Sequence, residues 1–259
     1  MYDIKDLLIY LIIAFTALAI PCAIAMLVFI IIGKQELCMK IIKKVKAKVD
    51  IFVNDVIKFP IYIITHPIQG YNEFKVEKKG KMYAAISILI AYILVQILAY
   101  NYTGPVINTN NPMKFNSLQI VILGVIPVIL IAVANWSITS LFDGKGKMKE
   151  IFMMICYSYF PLVVCGLLKM ILSNFVTTDE VLFLTIIDIV GLFGTGYMLF
   201  MGLVVIHEYG IFKTIISVLG TVLAILIILF LALLIFDLAN QVISFFTSIY
   251  KEIMTRFMM

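Results

Sequence analysis

The main pattern along the chain is a series of long apolar runs separated by short polar connections. Six runs are long enough to cross a membrane: 7–32, 82–100, 118–138, 151–172, 181–206 and 215–239. A helix of about 20 apolar residues rises about 30 Å and so spans the hydrocarbon core of a bilayer. The runs lack the alternation of transmembrane β-strands, so the pattern predicts an all-α, polytopic transmembrane helical bundle of about six spans.

The composition agrees with a membrane protein. Hydrophobic residues make up 63% of the 259 residues and charged residues 14%, with a mean hydropathy of +1.12. A soluble domain is about half apolar and about a quarter charged, so the excess of apolar side chains must face lipid. This excess disfavours soluble enzymes and nucleic-acid-binding modules. We therefore expect no nucleic-acid partner, and the net charge of +5 bears on membrane topology instead.

The distribution of Lys and Arg predicts an orientation. Fifteen of the 20 basic residues lie in 33–81, in 144–149 or at Lys213, all on one side of the predicted bundle. The positive-inside rule places this side in the cytoplasm and both termini outside. All basic residues except Arg256 are Lys, which is typical of AT-rich prokaryotic genomes. We expect a multi-pass protein of a prokaryotic cell membrane.

Two further segments have apolar residues at helical spacing without being long enough or apolar enough to span. In 35–59, a basic amphipathic pattern includes Lys43, Lys44 and Lys46, which predicts a helix on the anionic inner leaflet. This helix either binds lipid head groups or a partner, or only fixes topology. The tail 240–259 is amphipathic with fewer bases. The predicted organisation is an anchor (1–33), a basic interfacial segment (34–81), a five-span domain (82–239) and the tail.

Residues that could carry chemistry are few. The sequence has no phosphate-binding loop, nucleophile elbow, zinc-protease motif or paired Cys motif, so we expect no enzyme, cofactor or metal. Its two histidines are His66, followed by Pro67 in the basic segment, and His207, followed by Glu208 at the end of the fifth span. Each is either a titrating switch or an ordinary interfacial residue.

One ionisable residue lies deep within a predicted span. Asp188 is about 10 Å from the start of the fifth run, where an unpaired carboxylate is costly. Lys169, near the outer end of the fourth run, is the candidate partner. The pair is either functional, or Asp188 fills a packing defect while Lys169 extends to the interface. The nearby Gly191, Gly194 and Gly196 predict close helix packing or a bend.

Short motifs between the spans resemble a known family. They are His66-Pro67-Ile68-Gln69-Gly70-Tyr71, Asn135-Trp136, Asp143-Gly144-Lys145-Gly146-Lys147, Tyr157-Ser158-Tyr159-Phe160-Pro161, Gly194-Thr195-Gly196-Tyr197, and Gly202 with His207. Their order resembles the bacterial branch of the Yip membrane-protein family over about residues 55–240. The chain departs from that pattern by its extra first span, and by Tyr197 where a Trp is expected.

The resemblance implies a five-helix bundle with a cytoplasmic N-terminal region, no known catalytic centre, and a role in binding or organising other membrane proteins. Eukaryotic relatives bind small GTPases, and bacterial relatives are often encoded beside sugar-transporter components. We therefore expect an accessory or scaffold subunit that contacts transporter subunits or other membrane proteins. The candidate interfacial or partner-binding residues are His66, Pro67, Trp136, Asp143, His207 and Glu208, together with Lys43, Lys44 and Lys46 of the basic segment. The alternative is a small carrier or channel in which Asp188 couples protons or cations.

Overall fold

The computed structural model describes residues 35–108 and 115–257, and the regular structure in these ranges is entirely helical. The α-helices are α1 (Gln35–Val53), α2 (Phe59–Thr65), α3 (Pro67–Lys75), α4 (Met82–Tyr102), α5 (Ser117–Leu141), α6 (Met148–Ser158), α7 (Phe160–Leu172), α8 (Val181–His207) and α9 (Ile211–Phe257). A π-helical turn, Asn54–Lys58, precedes α2, and a 3-10 turn, Thr178–Glu180, precedes α8.

Within the described ranges, five helical stretches are long and apolar enough to cross a membrane. They are Met82–Tyr102, Ser117–Leu141, Met148–Leu172, Thr178–His207 and Ile211–Phe257. They coincide with the last five predicted spans, so the all-α polytopic bundle is confirmed. The predicted first span, 7–32, lies outside the described residues.

The chain divides into two units at the boundary between Val53 and Asn54. Helix α1 belongs to the first unit, and its Lys43, Lys44 and Lys46 side chains are exposed. The second unit contains α2 to α9.

Helix α6 lies at the centre of the second unit and packs against α4, α5 and α8. Its side chains from Ile151 to Ser158, except that of Phe152, are buried. Burial on all sides is what an apolar helix shows when neighbours enclose it completely. The core therefore surrounds α6. Exposed apolar side chains lie on the outer faces of the other spans.

The predicted fourth span is divided into α6 and α7 by a turn at Tyr159. The N–H of Tyr159 donates to the carbonyl of Cys156 instead of continuing the α-helical pattern. Pro161, at the start of α7, has no N–H to donate. In a continuous α-helix its ring would clash with the carbonyl group of the residue one turn earlier. Sequence periodicity predicts one span here, and the proline explains why its backbone changes course.

Glycines allow α7 and α8 to pack closely. A Cβ atom at Gly191 would lie 2.9 Å from Cβ of Cys165, and one at Gly194 would lie 3.1 Å from Cβ of Pro161. A Cβ at Gly196 would meet no atom within 4 Å. Two of the three glycines in this segment therefore serve close helix contact.

Helix α9 is much longer than a membrane span. Its 47 residues extend about 70 Å, against about 30 Å of hydrocarbon. It packs mainly on α5, and its buried residues, Thr214, Ser217 and Thr221, all lie in its first quarter. The helix continues past Ala239, where the apolar run ends, so the onset of polar residues there does not mark a helix end.

Candidate functional site

Polar contacts concentrate where the end of α3, the α5–α6 connection and the residues after α8 meet. We call this region the basic end of the bundle. Glu208 joins the three segments: its Oε1 lies 2.9 Å from Nζ of Lys75, and its Oε2 lies 2.6 Å from Nζ of Lys145. Lys75 also donates to the carbonyl of Ile206 at 2.8 Å. One carboxylate thus connects residues that are 63 and 133 positions away in sequence.

The charge of Glu208 is stabilised by these contacts. The hydrogen bond from Lys145, and then the one from Lys75, lower the pKa of the Glu208 carboxyl to about 2. Half of its side chain is exposed, so water screens the pairs and their energetic contribution is modest. The arrangement therefore fixes three segments relative to one another more than it stabilises the fold.

His207, the residue before Glu208, is 1% exposed and belongs to a buried polar chain. Its Nε2 lies 3.1 Å from Oδ1 of Asn135, whose Nδ2 donates to Oγ1 of Thr221 at 3.0 Å. The Thr221 hydroxyl donates to the Ser217 carbonyl at 2.8 Å. Because Asn135 uses its amide nitrogen towards Thr221, its oxygen accepts from His207, which places the histidine proton on Nε2. This chain links α8, α5 and α9.

The α5–α6 connection packs directly on the imidazole of His207. A Cβ at Gly144 would lie 2.7 Å from Nδ1, and one at Gly146 would lie 2.7 Å from Cε1. Tyr209 stacks on His207 with ring centroids 5.3 Å apart and donates its hydroxyl to the carbonyl of Phe142 at 3.0 Å. Within the described part of the chain, Nδ1 of His207 has no hydrogen-bond partner. The two glycines are therefore required for the close approach of this loop.

Helices α2 and α3 form a platform against the basic end. Tyr71 is fully buried, with its hydroxyl 3.1 Å from Oγ of Ser158, and Phe74 packs edge-on against Tyr157 at 5.3 Å. Gly202 on α8 permits this approach, because a Cβ there would lie 3.0 Å from Cζ of Tyr71. Burial of one face of the platform and the Lys75–Glu208 ion pair hold it in place.

A second charged group lies along the platform. Tyr62 donates to Glu73 at 3.0 Å, and Nζ of Lys79 lies 2.8 Å from the other oxygen of the Glu73 carboxylate. Lys79 and then Tyr62 lower the pKa of Glu73, and the bond to Glu73 raises the pKa of Tyr62. These bonds connect α2 to α3 and to the residues that precede α4.

The structure brings together only some of the predicted partner-binding residues. His207 and Glu208 are central to the basic end, and Asp143 lies in the adjoining loop with φ 55°. His66 and Pro67 lie between α2 and α3, where exposed His66 stacks on Tyr62 with ring centroids 5.2 Å apart. Trp136 on α5 is half-exposed, whereas the buried neighbour Asn135 makes the contact with His207.

Sequence reasoning missed Asn135, Lys75 and Lys145 as site residues. Asn135 is a polar residue inside an apolar run, and the argument used for Asp188 applies to it as well. Lys145 belongs to a motif that carries the family resemblance, but nothing in the sequence indicates that Lys145 or Lys75 would contact Glu208. In the described residues, no group of three or more His, Cys, Asp or Glu side chains is arranged to hold a metal ion.

At the opposite end of the bundle, Lys169 on α7 forms an ion pair with Asp188 on α8. The pair lines a cavity of about 470 Å³ bordered by α4, α5, α7 and α8. The Lys169 side chain is 31% exposed and the Asp188 side chain is 50% exposed. The predicted pairing is therefore present in the structure, on the wall of a cavity.

Residues 61–234 match the family model of the Yip1 domain, a range that extends from α2 into α9 and covers well over half of the chain. No curated protein and no solved structure matches the chain.

Proposed function

The chain belongs to the Yip1 domain family of integral membrane proteins, and from this premise we propose that it acts as a non-catalytic scaffold or accessory subunit of a membrane complex. Its partners in this proposal are other membrane proteins, such as the subunits of a binding-protein-dependent sugar transporter. The basic end faces the cytoplasm of a prokaryotic cell, and both termini lie outside.

The observation that carries the proposal is the two-sided character of the platform. Ile63, Tyr71 and Phe74 are buried on one side, while Ile61 and Ile68 are about half exposed on the other. Exposed apolar side chains beside polar ones are typical of a surface that binds another protein. Because α2 and α3 lie outside the spans, their exposed apolar residues are available to a partner protein at the membrane surface.

The basic end supports the same role. Glu208 is paired with two lysines, and His207 is enclosed by the α5–α6 loop and by Tyr209. Groups held in this way position segments of the chain and are poorly placed to exchange protons with a substrate. The charge network therefore favours a rigid docking surface over a reaction centre.

The exposed lysines of α1 extend the proposal to the membrane surface. Lys43, Lys44 and Lys46 lie within one turn and a half of helix, and each Lys near an anionic surface contributes about 1 kcal/mol of attraction. We assign them to anionic lipid head groups of the inner leaflet.

Comparative purification tests the scaffold role. The full chain is extracted from its native membrane in mild detergent, and the co-purifying membrane proteins are quantified by mass spectrometry. Ile68→Glu places a charge on the exposed side of the platform and should reduce a specific partner without lowering the abundance of the chain. Leu141→Glu, an exposed apolar residue at the same end of the bundle, is the matched control. Equal partner recovery from both variants would contradict the proposal.

The alternative is a small carrier in which Asp188 couples protons or cations. The cavity that the Lys169–Asp188 pair lines favours this reading, since a carrier needs a polar site inside the membrane. Asp188→Asn separates the two functions. A scaffold retains its partners in this variant, whereas a carrier loses solute flux in proteoliposomes although the protein is folded and inserted.

A further inference from the structure

The cavity at the Lys169–Asp188 pair has the features of a built binding site. Its polar lining comes from several elements: Gln96 on α4, Thr103 directly after α4, Lys169 on α7 and Asp188 on α8. Gly124 on α5 and Gly166 on α7 also line the cavity, and a Cβ at either position would lie within 3 Å of a side chain of α4. At about 470 Å³ the cavity lies within the range of small-molecule sites.

Hydrogen bonds join the ends of α4 and α7, two of the helices that line the cavity. The backbone N–H of Gly104 donates to the hydroxyl of Ser173 at 2.9 Å, and Nδ2 of Asn174 donates to the carbonyl of Tyr102 at 3.2 Å. A Cβ at Gly104 would lie 2.0 Å from the carbonyl oxygen of Ser173, so only glycine permits this approach. The ends of these two helices are therefore held together beside the cavity.

The ion pair retains unused hydrogen-bonding capacity. Nζ of Lys169 bonds one oxygen of the Asp188 carboxylate, and among the described residues neither group makes another hydrogen bond. An ammonium group has three donors and a carboxylate accepts at two oxygens. Both groups can thus bind a ligand while they remain near each other.

The depth of the pair in the membrane restricts what can bind. Asp188 is about 10 Å from the start of α8, and Lys169 is about 5 Å from the end of α7, so the pair lies within the membrane-spanning segments. In such surroundings an uncompensated charge is costly. The pair has no net charge, so a ligand with net charge would leave that charge uncompensated.

We propose that this cavity binds a zwitterion that carries an ammonium group and a phosphate or carboxylate group. The ammonium pairs with Asp188 and the anion pairs with Lys169, so that one internal ion pair becomes a network of four alternating charges. Charge-assisted hydrogen bonds of this kind are stronger than those that a neutral polar group would form. The chemistry is that of a phosphoethanolamine lipid head group, and also of a small soluble zwitterion. The proposal does not depend on the scaffold role.

Native mass spectrometry of the full chain in detergent tests the proposal with three lipids. These are phosphatidylethanolamine as the zwitterion, phosphatidylglycerol as the anion and a monoglucosyl-diacylglycerol as a neutral polar lipid. We expect the wild-type chain to retain phosphatidylethanolamine about ten-fold more tightly than either other lipid, a difference of about 1.4 kcal/mol. The double variant Lys169→Gln, Asp188→Asn has no charge in the cavity and should lose this preference.

Two further variants make the result specific. Glu252→Gln with Arg256→Gln removes an exposed ion pair of α9 and should retain the preference. Leu123→Trp keeps the Lys169–Asp188 pair but adds bulk to the cavity wall, so it should weaken binding even if the double variant does not fold. Equal retention of the three lipids by the wild-type chain, or an unchanged preference in folded cavity variants, would overturn the proposal.

Competition with soluble glycerophosphoethanolamine identifies the source of the zwitterion. Displacement of the lipid shows that the head group alone is recognised and that a soluble zwitterion can occupy the site. Failure to displace it shows that the acyl chains are needed as well and assigns the site to a lipid. Retention of the glucolipid as tightly as phosphatidylethanolamine would show selection for polar groups in general and would contradict selection for a zwitterion.

Discussion

Nε2 of His207 lies 3.1 Å from the amide oxygen of Asn135, 72 residues earlier in the chain, and both side chains are about 1% exposed. Buried polar groups stabilise a fold when their partners are present and destabilise it when one partner is removed. The pair therefore makes the junction of α5 and α8 sensitive to a change at either residue.

Replacement of Asn135 by Ala should destabilise the protein by about 1–3 kcal/mol, because it leaves His207 and Thr221 without their shared partner. The measurement is thermal or denaturant-induced unfolding of the purified chain in detergent. Ser137→Ala on the same helix is the control, since the Ser137 hydroxyl is exposed and bonds only the carbonyl of Val133. An Asn135→Ala protein as stable as the control would show that the buried chain contributes nothing.

The α5–α6 loop provides a second test, because its glycines permit contact with His207. Gly144→Ala places a methyl group 2.7 Å from Nδ1, so the loop or the imidazole must move, at a cost of about 1–3 kcal/mol. Gly210→Ala is the matched control, since its methyl group would meet no atom within 4 Å. We expect Gly144→Ala to lower the unfolding temperature and Gly210→Ala to leave it unchanged or raise it slightly. Similar effects of the two substitutions would argue against the packed loop.

The sequence predicts the spans well because each apolar run must bury its backbone polar groups as a helix in lipid. The runs that begin at 82, 118, 151, 181 and 215 all correspond to helices in the structure. The contacts of Glu208 are different. They depend on how α3, the α5–α6 loop and the end of α8 meet, and local sequence carries no information on which of many lysines reaches a given carboxylate.

The pairing of Lys169 with Asp188 was within reach of sequence reasoning for a physical reason. A membrane span offers few polar groups, so a carboxylate within one has few available partners. Asn135 follows the same reasoning and was overlooked because an amide carries no charge. By contrast, hydropathy predicts neither the turn at Tyr159 nor the length of α9. Hydropathy shows where an apolar run begins and ends, but not whether the helical backbone turns within the run or continues beyond it.

Acid should weaken the basic end through Glu208. The pKa of this carboxyl is lowered from 4.5 to about 2, so its contribution to stability is complete above about pH 4.5 and is lost as the pH falls towards 2. Glu208→Gln should therefore reduce the dependence of the unfolding temperature on pH between these values. Glu252→Gln, whose partner Arg256 lies one turn away on the same helix, is the control. A wild-type profile in the Glu208→Gln variant would show that the ion pairs do not contribute to stability.

The orientation of the bundle can be tested by cysteine labelling on intact cells. In a background without native Cys, Asn110→Cys should react with an impermeant thiol reagent, whereas Lys147→Cys at the basic end should react only after the cells are opened. The positive-inside distribution of lysines is the reason for this expectation. Labelling of position 147 alone on intact cells would reverse the orientation.

The two single substitutions at the intramembrane pair, Lys169→Met and Asp188→Asn, should differ in how much they destabilise the protein. Lys169 is three residues from the end of α7 and has a long side chain, so in Asp188→Asn its ammonium can extend to the interface. Asp188 has a short side chain seven residues into α8 and cannot reach water in the same way, so Lys169→Met leaves its carboxylate without compensation. We expect Lys169→Met to lower the unfolding temperature more than Asp188→Asn.

The double variant, Lys169→Met with Asp188→Asn, should recover stability relative to Lys169→Met, because no charge remains to be compensated. The double-mutant cycle should therefore give a coupling energy of at least about 0.5 kcal/mol. Additive effects of the two substitutions would mean that each group is solvated independently. The cavity would then be a water-filled space in which the ion pair contributes nothing, which would also remove the basis for selective binding of a zwitterion.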